Sequence, residues 1–173
     1  MALLGAGVLA APAASITVSA IPATASHLYV VYQVRSAVAA ETVGFGRLQL
    51  NGDTAANYGR ENVNGTNTSA GAGNSTGSVA FCDLIYEAGP SATANVFGAG
   101  VVIIPYYSST TQVKTLVGHG GILPVIGTTS NWIAGAVSGY WNSTAAVNAI
   151  KVMASDGASN LATGSSVKVY GIT

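Results

Sequence analysis

An all-β fold built as an antiparallel β-sandwich is what this sequence predicts, on three observations. Short runs alternate apolar and polar residues with period two, the pattern of strands half buried against a core. Clusters of Gly, Asn, Ser, Thr and Asp separate these runs at spacings typical of sandwich strands. The 22 glycines and the wealth of Val, Ile and Thr oppose helices, since Gly costs backbone entropy there while branched side chains suit a pleated surface. No segment shows a convincing helical period.

The chain opens on MALLGAGVLAAPAA, an apolar run that imitates a short signal peptide. No Lys or Arg precedes Arg35, so the positive flank is missing, and the run is too short to span a bilayer. Residues 1–14 therefore read as an arm or first strand packing on a neighbouring subunit, with Leu3, Leu4, Val8, Leu9 and Pro12 as its contact residues. A single domain follows over residues 15–173. Ser15–Ala20 alternates Ile16, Val18 and Ala20 against Ser and Thr, and His27–Ser36 sets Leu28, Val30, Tyr32 and Val34 on one face. Further strands are predicted at Val43–Leu50, Asn57–Val63, Ser78–Tyr86, Asn95–Tyr107, Gln112–His119, Asn131–Trp141, Ala149–Ala154 and Val167–Ile172. Within Asn131–Trp141, Trp132, Ala134, Ala136, Ser138 and Tyr140 share one face, and Ile133, Val137 and Trp141 the other. Bulk on both sides predicts a strand covered on both faces. The low-complexity stretch Gly65–Gly77, GTNTSAGAGNSTG, reads as an exposed loop between two strands.

Charge is scarce. Six basic residues balance six acidic ones, and 7% of the chain is charged where about 25% is usual. Such a chain projects no basic field toward nucleic acid or an anionic membrane, so neither is an expected partner. A mean hydropathy of +0.45 on a neutral chain favours association, which predicts an oligomer or a lattice component. At 173 residues the domain buries roughly 70% of its unfolded surface and needs no disulfide or metal to hold its core.

The chemistry-bearing residues are few and dispersed. Cys82 is the lone cysteine, so no intrachain disulfide forms, and two histidines with one cysteine fall short of a zinc site. Gly71, Gly73 and Gly77 do not match a dinucleotide fingerprint, and no Lys follows as a phosphate loop requires. Asn64, Asn67, Asn74 and Asn142 open sequons in form only, since so Asn- and Thr-rich a chain produces them by chance. His119 in VGHGG and His27 have many serines as partners, yet no G-x-S-x-G elbow occurs. Asp83 and Glu87 flank a strand and read as solvated turn residues, and no EF-hand loop gathers the other acids. No catalytic residue, metal site or cofactor is expected, and the protein reads as a non-enzyme. The aromatic residues Tyr29, Tyr106, Tyr107, Trp132, Tyr140 and Trp141 suit either a saccharide platform or a core and subunit interface. In LQLNGDTAANY, Asn51, Gly52 and Asp53 form a structural turn, Asn-Gly supplying the conformation that a branched residue resists.

Four stretches taken together carry a resemblance: SITVSAIPATASHLYVVYQVRS, LQLNGDTAANY, ATANVFGAGVVIIPYYSSTTQVKTLVGHGG and SSVKVYGIT. In order and spacing they resemble a jelly-roll-like β-sandwich module of tailed-phage virion proteins, found at tail-fibre ends and as small capsid decoration or cement proteins. The resemblance spans residues 15–173. It implies a homotrimeric virion surface protein without catalysis, made in the bacterial host cytoplasm, in which the Asn51–Asp53 corner and Tyr58 form a fixed turn. A lead of about 14 residues, with no fibrous shaft, favours decoration: a trimer clamping the major capsid protein, its arm reaching the shell or a neighbour. The alternative is a tail-fibre or tail-spike adhesin that contacts host surface glycans.

Overall fold

The computed structural model describes residues 1–127 and 132–173, without the side chains of residues 75–78 and 84–85. Twelve strands form among them: β1 Ala2–Val8, β2 Ser15–Val18, β3 His27–Val34, β4 Val43–Leu50, β5 Tyr58–Thr66, β6 Ala70–Val79, β7 Cys82–Ala88, β8 Gly98–Pro105, β9 Lys114–Ile122, β10 Ile133–Trp141, β11 Ile150–Met153 and β12 Ser166–Ile172. They pair into an eight-stranded sheet ordered β1-β12-β3-β8-β9-β10-β5-β6 and a four-stranded sheet ordered β2-β11-β4-β7. Every ladder is antiparallel. The architecture is the all-β sandwich that the alternation predicts.

Alternation sets which face is buried. Leu28, Val30, Tyr32 and Val34 of β3 all turn inward, beside Val102 and Ile104 of β8, Leu116 of β9, and Val167 and Val169 of β12. Opposite them lie Ile16 and Val18 of β2, Leu48 and Leu50 of β4, and Ile150 and Val152 of β11. Each such side chain contributes about 1.5–3 kcal/mol by leaving water, which is what holds two thin sheets face to face. The chain crosses between sheets at corners. After β4 the Asn51–Asp53 corner carries it into the large sheet, and between β6 and β7 the pair Ala80–Phe81 carries it back. Ser78–Tyr86, expected as one strand, is thus the end of β6 and most of β7, divided because its two parts belong to different sheets.

Residues 1–14, read above as an arm, are placed against the chain's own sheet. β1 pairs along β12 from Ala2 opposite Gly171 to Val8 opposite Ser166, and Ala13 bridges Leu161. The pairing satisfies main-chain groups that β12 would otherwise leave open. Leu4 and Leu9 pack on the core, whereas Leu3, Val8 and Pro12 face solvent. Gly5 and Gly7 face β2 so closely that an added Cβ would lie 2.5 Å from Val18 Cγ1 and 2.5 Å from Ile16 Cγ2.

The loop expected over Gly65–Gly77 is a correction. β5 continues to Thr66, β6 begins at Ala70, and the two form a hairpin with Gly65 opposite Ala70 and Asn64 opposite Gly71. Thr66 N donates to Ser69 O at 2.7 Å and closes the turn. Main-chain pairing with β5 is enough to extend a stretch whose small side chains carry no period of their own.

Replacing Gly7 by Val drives a branched side chain into Ile16, an overpacking that costs about 1–3 kcal/mol. Thermal melting followed by circular dichroism is expected to show a lowered midpoint for Gly7→Val and an unchanged one for the solvent-facing Ala6→Val. Equal midpoints would contradict the close approach of β1 to β2.

Candidate functional site

The Asn51–Asp53 corner is occupied by its own structure. Asn51 and Gly52 have φ of +54° and +68°, the left-handed region that Asn and Gly tolerate. Asn51 Oδ1 accepts from the backbone N–H of Asn148 at 2.8 Å and of Ala149 at 3.1 Å, and its Nδ2 donates to Ala146 O at 2.8 Å. The Asp53 carboxylate accepts from Asn57 Nδ2 at 2.9 Å, Trp141 Nε1 at 2.6 Å and Ala55 N at 2.8 Å. These bonds, first those from Asn57 and Trp141, hold its carboxyl below the ordinary aspartate value. The buried Tyr58 hydroxyl accepts from Leu50 N at 3.0 Å and donates to Leu50 O at 3.2 Å, and burial pushes its pKa up. The result is a clamp resembling the tyrosine corner of other sandwiches, with the carboxylate and the hydroxyl both committed to holding it.

The aromatic set divides. Tyr107 and Trp141 are core residues: the Tyr107 hydroxyl donates to Pro22 O, and the Trp141 ring stacks on Tyr58 with centroids 6.3 Å apart. Tyr29 stands half-buried on the outer face of β3, opposite Ile103 and Tyr170. Tyr106 is exposed, lies edge-on to His27 at 4.9 Å, and donates its backbone N–H to His27 Nδ1. Trp132 and Tyr140 are 58% and 39% exposed on one face of β10 and its approach. The face expected to be covered on both sides is covered on one, because the small sheet lies across only the inner side of the large one.

That outer face is the candidate site. Ala134, Ala136 and Ser138 form a floor between β9 and β5, and their register partners there are Gly65, Val63 and Glu61 on one side and Gly121, His119 and Val117 on the other. Low side chains between taller neighbours leave adjoining depressions: about 650 Å³ over Ala134, Ala136, Val63 and Ala72, about 470 Å³ beside Trp132, and about 450 Å³ beside Tyr140 and Thr115. Together they run the length of β10, ~26 Å from Trp132 to Tyr140 at about 3.3 Å per residue. The trough offers apolar contact from Val63 and Val117, two ring faces, and polar groups from Glu61, Asn74, Thr115 and Ser138. Arg60 at its margin is held by Asp83 at 3.1 Å. Such a surface binds by stacking and area rather than by long-range electrostatic attraction.

A second cluster was not legible in the sequence. Glu87, expected at a solvated turn, is fully buried. Its Oε1 accepts from Ser155 N at 2.8 Å, its Oε2 has no neutral donor, and its carboxyl meets that of Glu41. Glu41 in turn accepts from Ser155 Oγ at 2.7 Å and Ser36 Oγ at 3.1 Å. A second carboxyl in contact with Glu87 disfavours its charged form. Burial, with Glu41 adding to it, pushes the Glu87 carboxyl up to about 7. Asp83, also expected at a turn, is half-buried, and burial raises it despite Arg60.

No protein-family model matches this chain, and no curated protein matches it. Among solved structures it is similar to the CBM2 module of the evolved Dit of Lactobacillus casei BL23 phage J-1, at 15% identity over 99% of this chain and 77% of that one. The TM-score of 0.24 is too low for this likeness to carry any argument about site or partner.

The Glu41–Glu87 pair sets a pH dependence. An unfolded glutamate titrates at 4.5 and Glu87 in the fold at about 7, so the native state binds the extra proton. The stability this proton contributes is complete below pH 4.5 and is lost as pH rises through 7, by about 3 kcal/mol in all. Melting midpoints measured from pH 4 to pH 8 are expected to fall in the parent chain and to fall much less in Glu87→Gln. Asp83 acts in the same direction and leaves a residual slope. Parallel curves for parent and variant would refute the raised Glu87 carboxyl.

Proposed function

We propose that this protein is a non-catalytic structural component of a tailed-phage virion, a capsid decoration protein that docks on the major capsid protein through the outer face of its eight-stranded sheet. The observation that carries the reading is that face itself: broad, uncovered by the described residues, poor in charge and studded with exposed Val63, Val117 and Trp132. Eight strands at ~4.8 Å make it ~38 Å across, so strands ~20 Å long present roughly 800 Å², the share one partner contributes to a standard interface. A docking face with so few charges suits a partner met at high local density during assembly, where area rather than steering decides the outcome. The sequence resemblance to virion modules points the same way. A second reading, a tail adhesin for host surface glycans, is favoured by Trp132 and Tyr140 at the two ends of the trough, where ring faces suit sugar C–H groups.

Purified protein added to expanded phage shells is expected to saturate them, and Val63→Lys with Val117→Lys is expected to lower affinity at least tenfold without moving the melting midpoint. Full occupancy by that variant contradicts docking through this face. Retention on host glycans that Trp132→Ala abolishes, with no binding to shells, selects the adhesin reading instead.

A further inference from the structure

We infer that copies of this chain join edge to edge through the eight-stranded sheet, β1 of one protomer adding to β6 of the next. The sheet ends at β1 and β6, whose outer sides meet no further strand among the described residues. An open edge is a template for pairing, and proteins that stay monomeric blunt it with charge, proline, bulges or shortness. The smaller sheet does so here: its edge β2 has four residues, and its edge β7 carries the charge of Asp83. The larger sheet has one bulge in each edge ladder, between Leu3 and Gly5 of β1 and opposite Tyr58–Arg60 on β6, but beyond them β1 pairs regularly from Gly5 to Val8 and β6 from Ala70 to Ser75. β1 reads ALLGAGV and β6 reads AGAGNSTGSV, with no charge and no proline in either.

Direction and shape select the next copy as the occupant. Seven antiparallel ladders separate the two edges, so β1 and β6 run in opposite directions. A copy placed head to tail therefore brings its β1 antiparallel to β6 and continues the ladder across the junction. Side chains complement each other as well: Leu3 and Val8 stand exposed on β1, while Ala70, Gly71 and Ala72 leave room on β6. One kind of junction then covers both open edges of every protomer, which a two-fold pairing of like edges cannot do. Head-to-tail contacts close into rings, and closure at three copies gives the homotrimer implied by the sequence resemblance. The inference deepens the oligomer part of the proposed function and is independent of what the trimer docks on.

The test compares masses by light scattering at micromolar concentration. The parent chain is expected as a trimer. Leu3→Lys/Val8→Lys closes the first edge and Ala70→Lys/Ala72→Lys the second; each alone is expected as a monomer with the parent's circular dichroism. Mixed in equal amounts, they are expected to form a one-to-one dimer and nothing larger, through the one native junction left. A parent monomer overturns the inference, as does either variant alone forming a trimer or dimer. Val63→Lys/Val117→Lys, which adds the same charge to the sheet face, is expected to stay trimeric, and its dissociation would move the interface to the face. In the parent chain itself, amides of β1 and β6 are expected to lose hydrogen-exchange protection on dilution, and concentration-independent protection refutes the junction. A trimer built on these edges that never occupies shells would sink the capsid reading alone.

Discussion

The antiparallel main-chain ladder of the large sheet is the constraint on which the rest depends. A chain with 22 glycines and few long side chains has little lateral packing to spend on holding strands in place, so paired N–H and C=O groups must set their positions. β3 sits between β12 and β8, and its inward row of Leu28, Val30, Tyr32 and Val34 meets the small sheet. Once that register is set, a shift by one residue would turn the whole row to solvent, so the core and the ladder enforce each other. The outer face of the same sheet follows from this arrangement: with the small sheet covering only the inner side, the alternate residues of β9, β10 and β5 face out.

The corner after β4 makes the two sheets one body. Asp53 accepts from Trp141 of β10, Tyr58 returns its hydroxyl to Leu50, and Asn51 gathers backbone groups just before β11. Three polar side chains thereby tie the end of β4 to the large sheet and to the strand beside it. The Glu41–Glu87 pair performs a related task elsewhere, fastening the residues before β4 to Ser155 after β11. Burial raises the Glu87 carboxyl to about 7, which makes that fastening sensitive to pH near neutrality.

Local pattern made part of this legible in advance. The β3 row, the period of β4 and β12 and the Asn-Gly turn are written in neighbouring residues, and the strands there match their expected positions closely. β6 was not readable, because Ala, Gly and Ser carry no alternation and its extension comes from β5. Glu87 was not readable either: its partners Glu41 and Ser155 lie 46 and 68 residues away, and only the closed fold brings them to it. The division of the aromatics needed the fold as well, since Tyr106 and Tyr107, or Tyr140 and Trp141, are neighbours in sequence and opposites in burial. Period alone placed Trp132 and Tyr140 on one face; which face met water depended on where the small sheet lay.

A sandwich with a nearly neutral outer face and uncharged large-sheet edges is suited to being part of something larger. Association through area and main-chain pairing needs no reactive group. The most direct measurement of that claim is electron cryo-microscopy of the intact virion. The account predicts density for this sandwich on the capsid surface in threes, the outer face of each large sheet turned away from the three-fold axis and against a capsid subunit. Density at a tail tip with Trp132 and Tyr140 facing solvent, or particles complete without this chain, would contradict it.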